Sequence, residues 1–268
     1  MTAALALRGA DLSFDGRSLW TGMDLEVEPG EFIAVLGSNG AGKSSLLKVL
    51  LGLQPLSRGS VDLLGRPAAR GRRDVGYIPQ HRGYGANVPL RARDLVKLGI
   101  DGHRWGLGGM RANEQLVDEL LESVGATEYA DAPLARLSGG EQQRLRVAQA
   151  LASRPRILLC DEPLQSLDLK RQRVVVELID KDRRERGTTV MFVTHEINPV
   201  LSAVDRVLYI INGRFRFGPP SEVMTSEVLS ELYEADIEVI RRGDRLIVIG
   251  ADDIDAGSHA HHHGDDVA

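Results

Sequence analysis

Gly37, Ser38, Asn39, Gly40, Ala41, Gly42, Lys43 and Ser44 carry the spacing G-x-x-x-x-G-K-S. Glycines in such a loop let backbone N–H groups crowd around phosphate oxygens, the Lys43 ammonium reaches the β- and γ-phosphates, and the Ser44 hydroxyl is a ligand for Mg²⁺. A nucleoside triphosphate is the expected ligand if a strand precedes the loop and a helix follows it. Much further along, Asp161 and Glu162 close the apolar run Ile157–Cys160. Two acids at the end of a buried strand stand at the edge where parallel sheets bind ligands. The workable division is Asp161 holding Mg²⁺, mostly through water, and Glu162 orienting or deprotonating an attacking water. Ser138, Gly139, Gly140 and Glu141 support two compatible readings. Ser-x-x-Glu is a capping box that starts a helix, and a Gly-Gly first turn opens the positive end of that helix to an anion.

The elements that must position these groups follow from the hydrophobic pattern. Glu31–Leu36 is an apolar run of buried-strand length, and Lys43–Leu53 carries leucines at helical spacing behind the loop. Residues 2–30 read as short alternating strands: Leu5–Phe14, a turn at Asp15 and Gly16, then Met23–Glu28 ending at Pro29 and Gly30. Ser60–Leu64 adds to this antiparallel layer, and Asp74–Ile78 is a further strand closed by Pro79 and Gln80. From Leu90 to Ala152 the pattern is helical, with a glycine-rich break at 106–109 and an amphipathic stretch Glu114–Val124. Strands resume at Ile157–Cys160, Thr188–Val193 and Val207–Ile211, with a helix Lys170–Glu185 between the first two, an order that predicts a parallel sheet and an α/β fold. A helix near Glu222–Tyr233 and a hairpin of Ile237–Ile240 with Leu246–Ile249 follow, and residues 251–268, acidic and His-rich, read as disordered.

Composition narrows the function. The 268 residues are 43% hydrophobic, enough for a full core, and hold one phosphate-loop motif, hence one nucleotide domain. A net charge of −5 argues against nucleic acid as partner, because a phosphate backbone is held by clustered Lys and Arg. Cys160 is the only cysteine, which excludes an internal disulfide and fits a reducing cytoplasm. Its place in an apolar run makes it a small core residue. No apolar stretch reaches the length needed to cross a bilayer, and the N-terminus has no signal-like segment, so any membrane role is expected to come through a partner.

Together these motifs closely resemble the ATP-binding subunits of ABC transporters over about residues 5–215. The resemblance implies a P-loop NTPase with a RecA-like parallel-sheet core, an N-terminal antiparallel β layer and a helical subdomain at about 83–152, all within an ABC ATPase domain at 1–218. Residues 219–250 would then be a C-terminal extension. Gly37 to Ser45 match the Walker A loop, Ser138 to Gln142 the family signature, and Ile157 to Asp161 Walker B with Glu162 as the catalytic glutamate. Gln80 matches the loop glutamine that touches Mg²⁺ and senses the membrane partner. His195, which alone reads as a core histidine satisfied by a carbonyl, matches the switch histidine near the γ-phosphate. Phe14 stands where the family stacks an aromatic ring on adenine, with Trp20 as the competing aromatic. Gln165, Ser166, Leu167 and Asp168 replace the usual Ser-Ala-Leu-Asp; Asp168, which contacts the opposite subunit in the family, is kept.

The resemblance further implies ATP and Mg²⁺ as ligands, hydrolysis coupled to membrane transport, and pairing with a second ATP-binding subunit as a homodimer. Its other partners would be transmembrane permease subunits and an extracytoplasmic substrate-binding protein, placing the chain in the cytoplasm, peripheral on the inner face of the membrane. The region Val88–Gly99, the compact helical insert and the C-terminal hairpin are similar to ATPases serving importers of zinc, manganese, iron or iron chelates. His259, His261, His262 and His263 with Asp265 and Asp266 offer ligands suited to Zn²⁺ or Mn²⁺; a functionless tail or a remnant of cloning is the other reading. The alternatives are a transporter ATPase for another substrate class and a soluble ABC ATPase acting on ribosomes or DNA. The sequence carries neither the second nucleotide domain nor the long coiled coil usual in those soluble members.

Overall fold

A computed structural model describes residues 2–14, 16–80, 90–101 and 114–250. Phe32 to Leu36 contain no polar residue, so the strand they form must be covered on both faces. That strand, β3 (Phe32–Gly37), lies inside a six-stranded sheet. Two antiparallel strands, β1 (Leu5–Phe14) and β2 (Arg17–Val27), precede it, and β4 (Arg58–Leu63) and β5 (Arg66–Pro67) join them in a separate sheet of order β2-β1-β4-β5. The remaining strands of the central sheet are β6 (Val75–Ile78), β7 (Ile157–Asp161), β8 (Thr189–Val193), β9 (Arg206–Ile211) and β10 (Arg214–Gly218), in the order β10-β9-β3-β8-β7-β6. All neighbours are parallel except β10, which returns antiparallel along β9.

Successive side chains of these strands enter opposite cores. Phe32, Ala34, Leu36, Leu158, Cys160, Val190 and Phe192 pack towards α4 (Gly139–Ala152) and α5 (Leu169–Arg186). Ile33, Val35, Leu159, Met191 and Val193 pack towards α1 (Lys43–Leu50) and the antiparallel sheet. Cys160 is fully buried, and burial pushes its thiol well above the usual range. A smaller core joins α2 (Ala92–Asp101), α3 (Glu114–Ser123) and α4 through Val96, Val117, Leu121, Leu145 and Ala148. Two buried polar residues of α4 are fastened to backbone carbonyls. Gln142 donates to the carbonyls of Leu134 and Leu137, and Arg144 donates to those of Val124 and Gly125 while its guanidinium covers the Tyr129 ring.

Several boundaries differ from the sequence expectation. β2 begins at Arg17 rather than Met23, because its first residues pair with the end of β1. α1 ends at Leu50, short of Leu53. β10 was not expected: Arg214, Phe215, Arg216 and Phe217 alternate exposed and half-buried positions on a sheet edge, a weaker signal than the buried runs beside it. The single helix expected near Glu222–Tyr233 is two, α6 (Pro220–Val223) and α7 (Ser226–Tyr233), separated where Thr225 accepts a hydrogen bond from the Val228 N–H and caps the second. The hairpin is β11 (Glu238–Arg242) and β12 (Arg245–Ile249). The expected break at 106–109, the start of the helical subdomain at 83–89 and the His-rich tail lie outside the described residues.

Candidate active site

Four neighbouring parallel strands end at one edge, and each carries a group singled out above. β3 runs into the loop that begins at Gly37, where φ is +136° and an added Cβ would stand 1.7 Å from the Ile210 carbonyl oxygen. Only glycine fits there. Gly42, at φ 94°, precedes α1 in a left-handed conformation; no side chain caps the helix and no acid occupies its first turn. The positive end of the helix dipole thus points into the loop without a competing carboxylate. Lys43 Nζ donates to the carbonyls of Gly37 (2.6 Å) and Ser38 (2.7 Å), which curls the ammonium over the same loop.

At the end of β7, Asp161 Oδ1 accepts from Ser44 Oγ at 2.9 Å. Burial raises the Asp161 carboxyl above the ordinary aspartate range and the charge of Glu162 adds to this, while hydrogen bonds from Ser44 and Tyr77 and the charge of Lys48 oppose it. A buried carboxylate, strained in its charged form and touching a hydroxyl, is an oxygen donor set that fits a hard divalent cation such as Mg²⁺. Such an ion would neutralise phosphate charge.

Glu162 follows with φ at +50°, its N–H donating to the Val193 carbonyl at 3.1 Å. That backbone turns its side chain towards the ends of β6 and β8. Gln80 Nε2 donates to Glu162 Oε2 at 3.0 Å, and His195 Nε2 lies 2.7 Å from Glu162 Oε1. Both carboxylate oxygens are therefore held, one from each neighbouring strand end. His195 is exposed and pairs with Glu162 rather than sitting in the core on a backbone carbonyl.

Lys43, Ser44, Gln80 and Glu162 border a cleft of about 420 Å³ lined also by Phe14, Leu19, Asn39, Gly40, Gly42, Ser45, Lys48 and Gln54, while His195 stands on the other side of Glu162, in a hollow it shares with Gln165 and Gln172. Phe14 is 62% exposed at the cleft, whereas Trp20 is fully buried, its indole Nε1 only 3.0 Å from where a Cβ on Gly42 would stand. Ser38 and Ala41 are buried within the loop. Leu19, Lys48 and Gln54 were not foreseen. Lys48 had a signal, since it follows Ser44 by four positions on the helix expected there and so shares its face.

Ser138, Gly139, Gly140 and Glu141 are not among the residues lining this cleft. Ser138 and Glu141 form the complete capping box of α4: Glu141 Oε2 accepts from both the backbone N–H and the hydroxyl of Ser138 at 2.8 Å, and these bonds hold its carboxyl below the usual glutamate range. Gly140 sits against the loop of Ser166 and Leu167. Asp168 caps α5, accepting from the N–H and the guanidinium of Arg171 at 2.9 Å each. Gly140 thus adjoins the loop that leads into Asp168.

A parallel sheet bearing a phosphate loop, a Ser–Asp pair and a held glutamate along one edge defines a P-loop ATPase. The profile of the ABC transporter family matches residues 20–165, and the chain belongs to that family, whose ATP-binding subunits bind and hydrolyse ATP. It is 32% identical over 222 residues to the manganese transport system ATP-binding protein MntB of Halalkalibacterium halodurans, covering 82% of this chain and 88% of that protein. It is 34% identical over 256 residues to the phosphonates import ATP-binding protein PhnC of Stutzerimonas stutzeri, covering 89% and 92%. A dimeric ATP-binding cassette solved in a post-hydrolysis state with ADP and Pi superposes with a TM-score of 0.71 at 28% identity, covering 80% of this chain and 98% of that one. Other relatives are named for import of zinc, hemin and Fe(3+) ions. Among the described residues no helix is long and apolar enough to cross a membrane.

Proposed function

We propose that this chain is the ATP-hydrolysing subunit of an importer for a transition-metal ion or metal chelate, working as a head-to-tail homodimer. The observation that carries the catalytic part is the Glu162 carboxylate held between Gln80 and His195 beside the Ser44–Asp161 pair. Lys43 and the loop N–H groups would bind the phosphates, Phe14 would stack on adenine, and Ser44, Asp161 and Gln80 would hold Mg²⁺. Glu162 orients the attacking water and takes its proton, while His195 fixes the carboxylate and faces the γ-phosphate. The location of Ser138 to Glu141 outside the cleft supports a pairing in which the second copy supplies them, with Asp168 at the same contact. Transmembrane permease subunits, fed by an extracytoplasmic binding protein, receive the motion from this chain at the cytoplasmic face through Gln80 and the helical subdomain.

The metal reading is supported by relatives named for manganese, zinc, Fe(3+) and hemin transport; the phosphonate relative supplies the competing substrate class. The test is to isolate the complex with its membrane subunits, reconstitute it in vesicles and measure ATP-dependent uptake. Accumulation of Mn²⁺, Zn²⁺ or an iron chelate is expected. Accumulation of a phosphonate and of no metal would transfer the chain to the other class.

A further inference from the structure

The imidazole of His195 is 46% exposed, so its own packing does not hold it on Glu162. The backbone on either side must. Upstream, the Thr194 N–H donates to the Val35 carbonyl at 3.1 Å, and Thr194 Oγ1 both accepts from the Glu196 N–H (3.2 Å) and donates to its carbonyl (3.0 Å). Downstream, the fastening comes from the C-terminal hairpin. Asn198 Nδ2 donates to the Leu246 carbonyl and the Leu246 N–H donates to Asn198 Oδ1, each at 2.8 Å. The amide thus pairs with β12 as a neighbouring strand would. Ile197 and Leu246 are buried in one core cluster, which sets apolar packing beside the polar pair. Beyond this tie a cleft of about 660 Å³ opens between Gln172 and Arg173 of α5 and the end of the hairpin at Asp244 and Arg245.

We propose that Asn198 is a positioning residue for hydrolysis: through its paired amide the C-terminal hairpin holds the segment that carries His195, and so keeps the imidazole on Glu162. The proposal rests on His195 acting in hydrolysis as set out above. Asn198 lies outside the nucleotide cleft, so its loss affects turnover rather than binding.

The test is steady-state Mg-ATP hydrolysis by the full chain as wild type, Asn198→Ala, Asn198→Asp and His195→Ala, with amide hydrogen exchange on the first two. Asn198→Ala is expected to lower kcat roughly tenfold with KM unchanged, because the imidazole is no longer held on Glu162. Exchange should quicken at residues 195–198 and not at 43–50. Asn198→Asp, which keeps the acceptor for the Leu246 N–H, should fall between, and it decides the matter if the alanine variant does not fold. Wild-type kcat in both Asn198 variants alongside an impaired His195→Ala overturns the proposal. So does a rise in KM with faster exchange at 43–50, which marks a general loss of structure. An unimpaired His195→Ala instead removes the reading on which the proposal stands.

Discussion

His195 Nε2 lies 2.7 Å from Glu162 Oε1. With Gln80 on the other oxygen, the carboxylate has a fixed orientation. Glutamine in place of Glu162 matches its shape but cannot accept a proton. Glu162→Gln is therefore expected to bind ATP with an affinity within about threefold of wild type and to lose turnover about 100-fold or more. Single-turnover hydrolysis with titration of ATP checks this, and rapid turnover in the variant contradicts the role of Glu162.

Lys43 is the cation aimed into the phosphate loop, where Gly37 and Ser38 carbonyls hold it. Lys43→Ala should raise the Kd for Mg-ATP at least about tenfold, the equivalent of one charge-assisted hydrogen bond. Calorimetric titration measures it; unchanged affinity removes Lys43 from the site.

Gly37 is a steric requirement. A methyl group there would overlap the Ile210 carbonyl oxygen at 1.7 Å with φ at +136°. Gly37→Ala is expected to destabilise the fold by about 3 kcal/mol or more, through backbone displacement between β3 and β9. Urea denaturation reads the change, and an unaltered midpoint would refute the close approach.

Arg72 donates to both carboxylate oxygens of Asp74, at 2.9 and 2.6 Å, just before β6 leads to Gln80. The Arg72 hydrogen bonds hold the Asp74 carboxyl below its ordinary range. A carboxyl depressed in the folded state stabilises above its unfolded pKa and loses that contribution as pH falls through the folded one. Asp74→Asn should thus cost about 1 kcal/mol at neutral pH, a value discounted for partial exposure. The gap from wild type should persist down to about pH 4.5 and close below about pH 4. Urea midpoints across that range test the sign.

The chemistry-bearing segments were legible because they combine fixed spacing with buried runs. Ile157 to Cys160 could only be an interior strand, and that placed Asp161 and Glu162 at its end. Period alone did not reveal that β3 and β7 are separated by β8, or that the ends of β6 and β8 deliver Gln80 and His195 to opposite oxygens of one carboxylate, since strand order is set by long-range packing. Trp20 and Phe14 could not be told apart by type; bulges along β1 and the pairing of Phe14 with Arg17 put one ring on the cleft and the other beneath it. Asp168 also caps α5, a local role that Asp directly before a helical run signals in the sequence. The tie from Asn198 to Leu246 spans 48 positions and joins a side chain to backbone, a pairing that leaves no pattern in sequence.

If one chain holds half of each reactive pocket and a second copy supplies the other, Mg-ATP should draw two chains together. Sedimentation of purified Glu162→Gln with and without Mg-ATP reads this out. A monomer without nucleotide that becomes a dimer holding two ATP is the predicted result. A chain that remains monomeric with saturating Mg-ATP, while the wild type hydrolyses ATP at a specific activity independent of protein concentration, would contradict it.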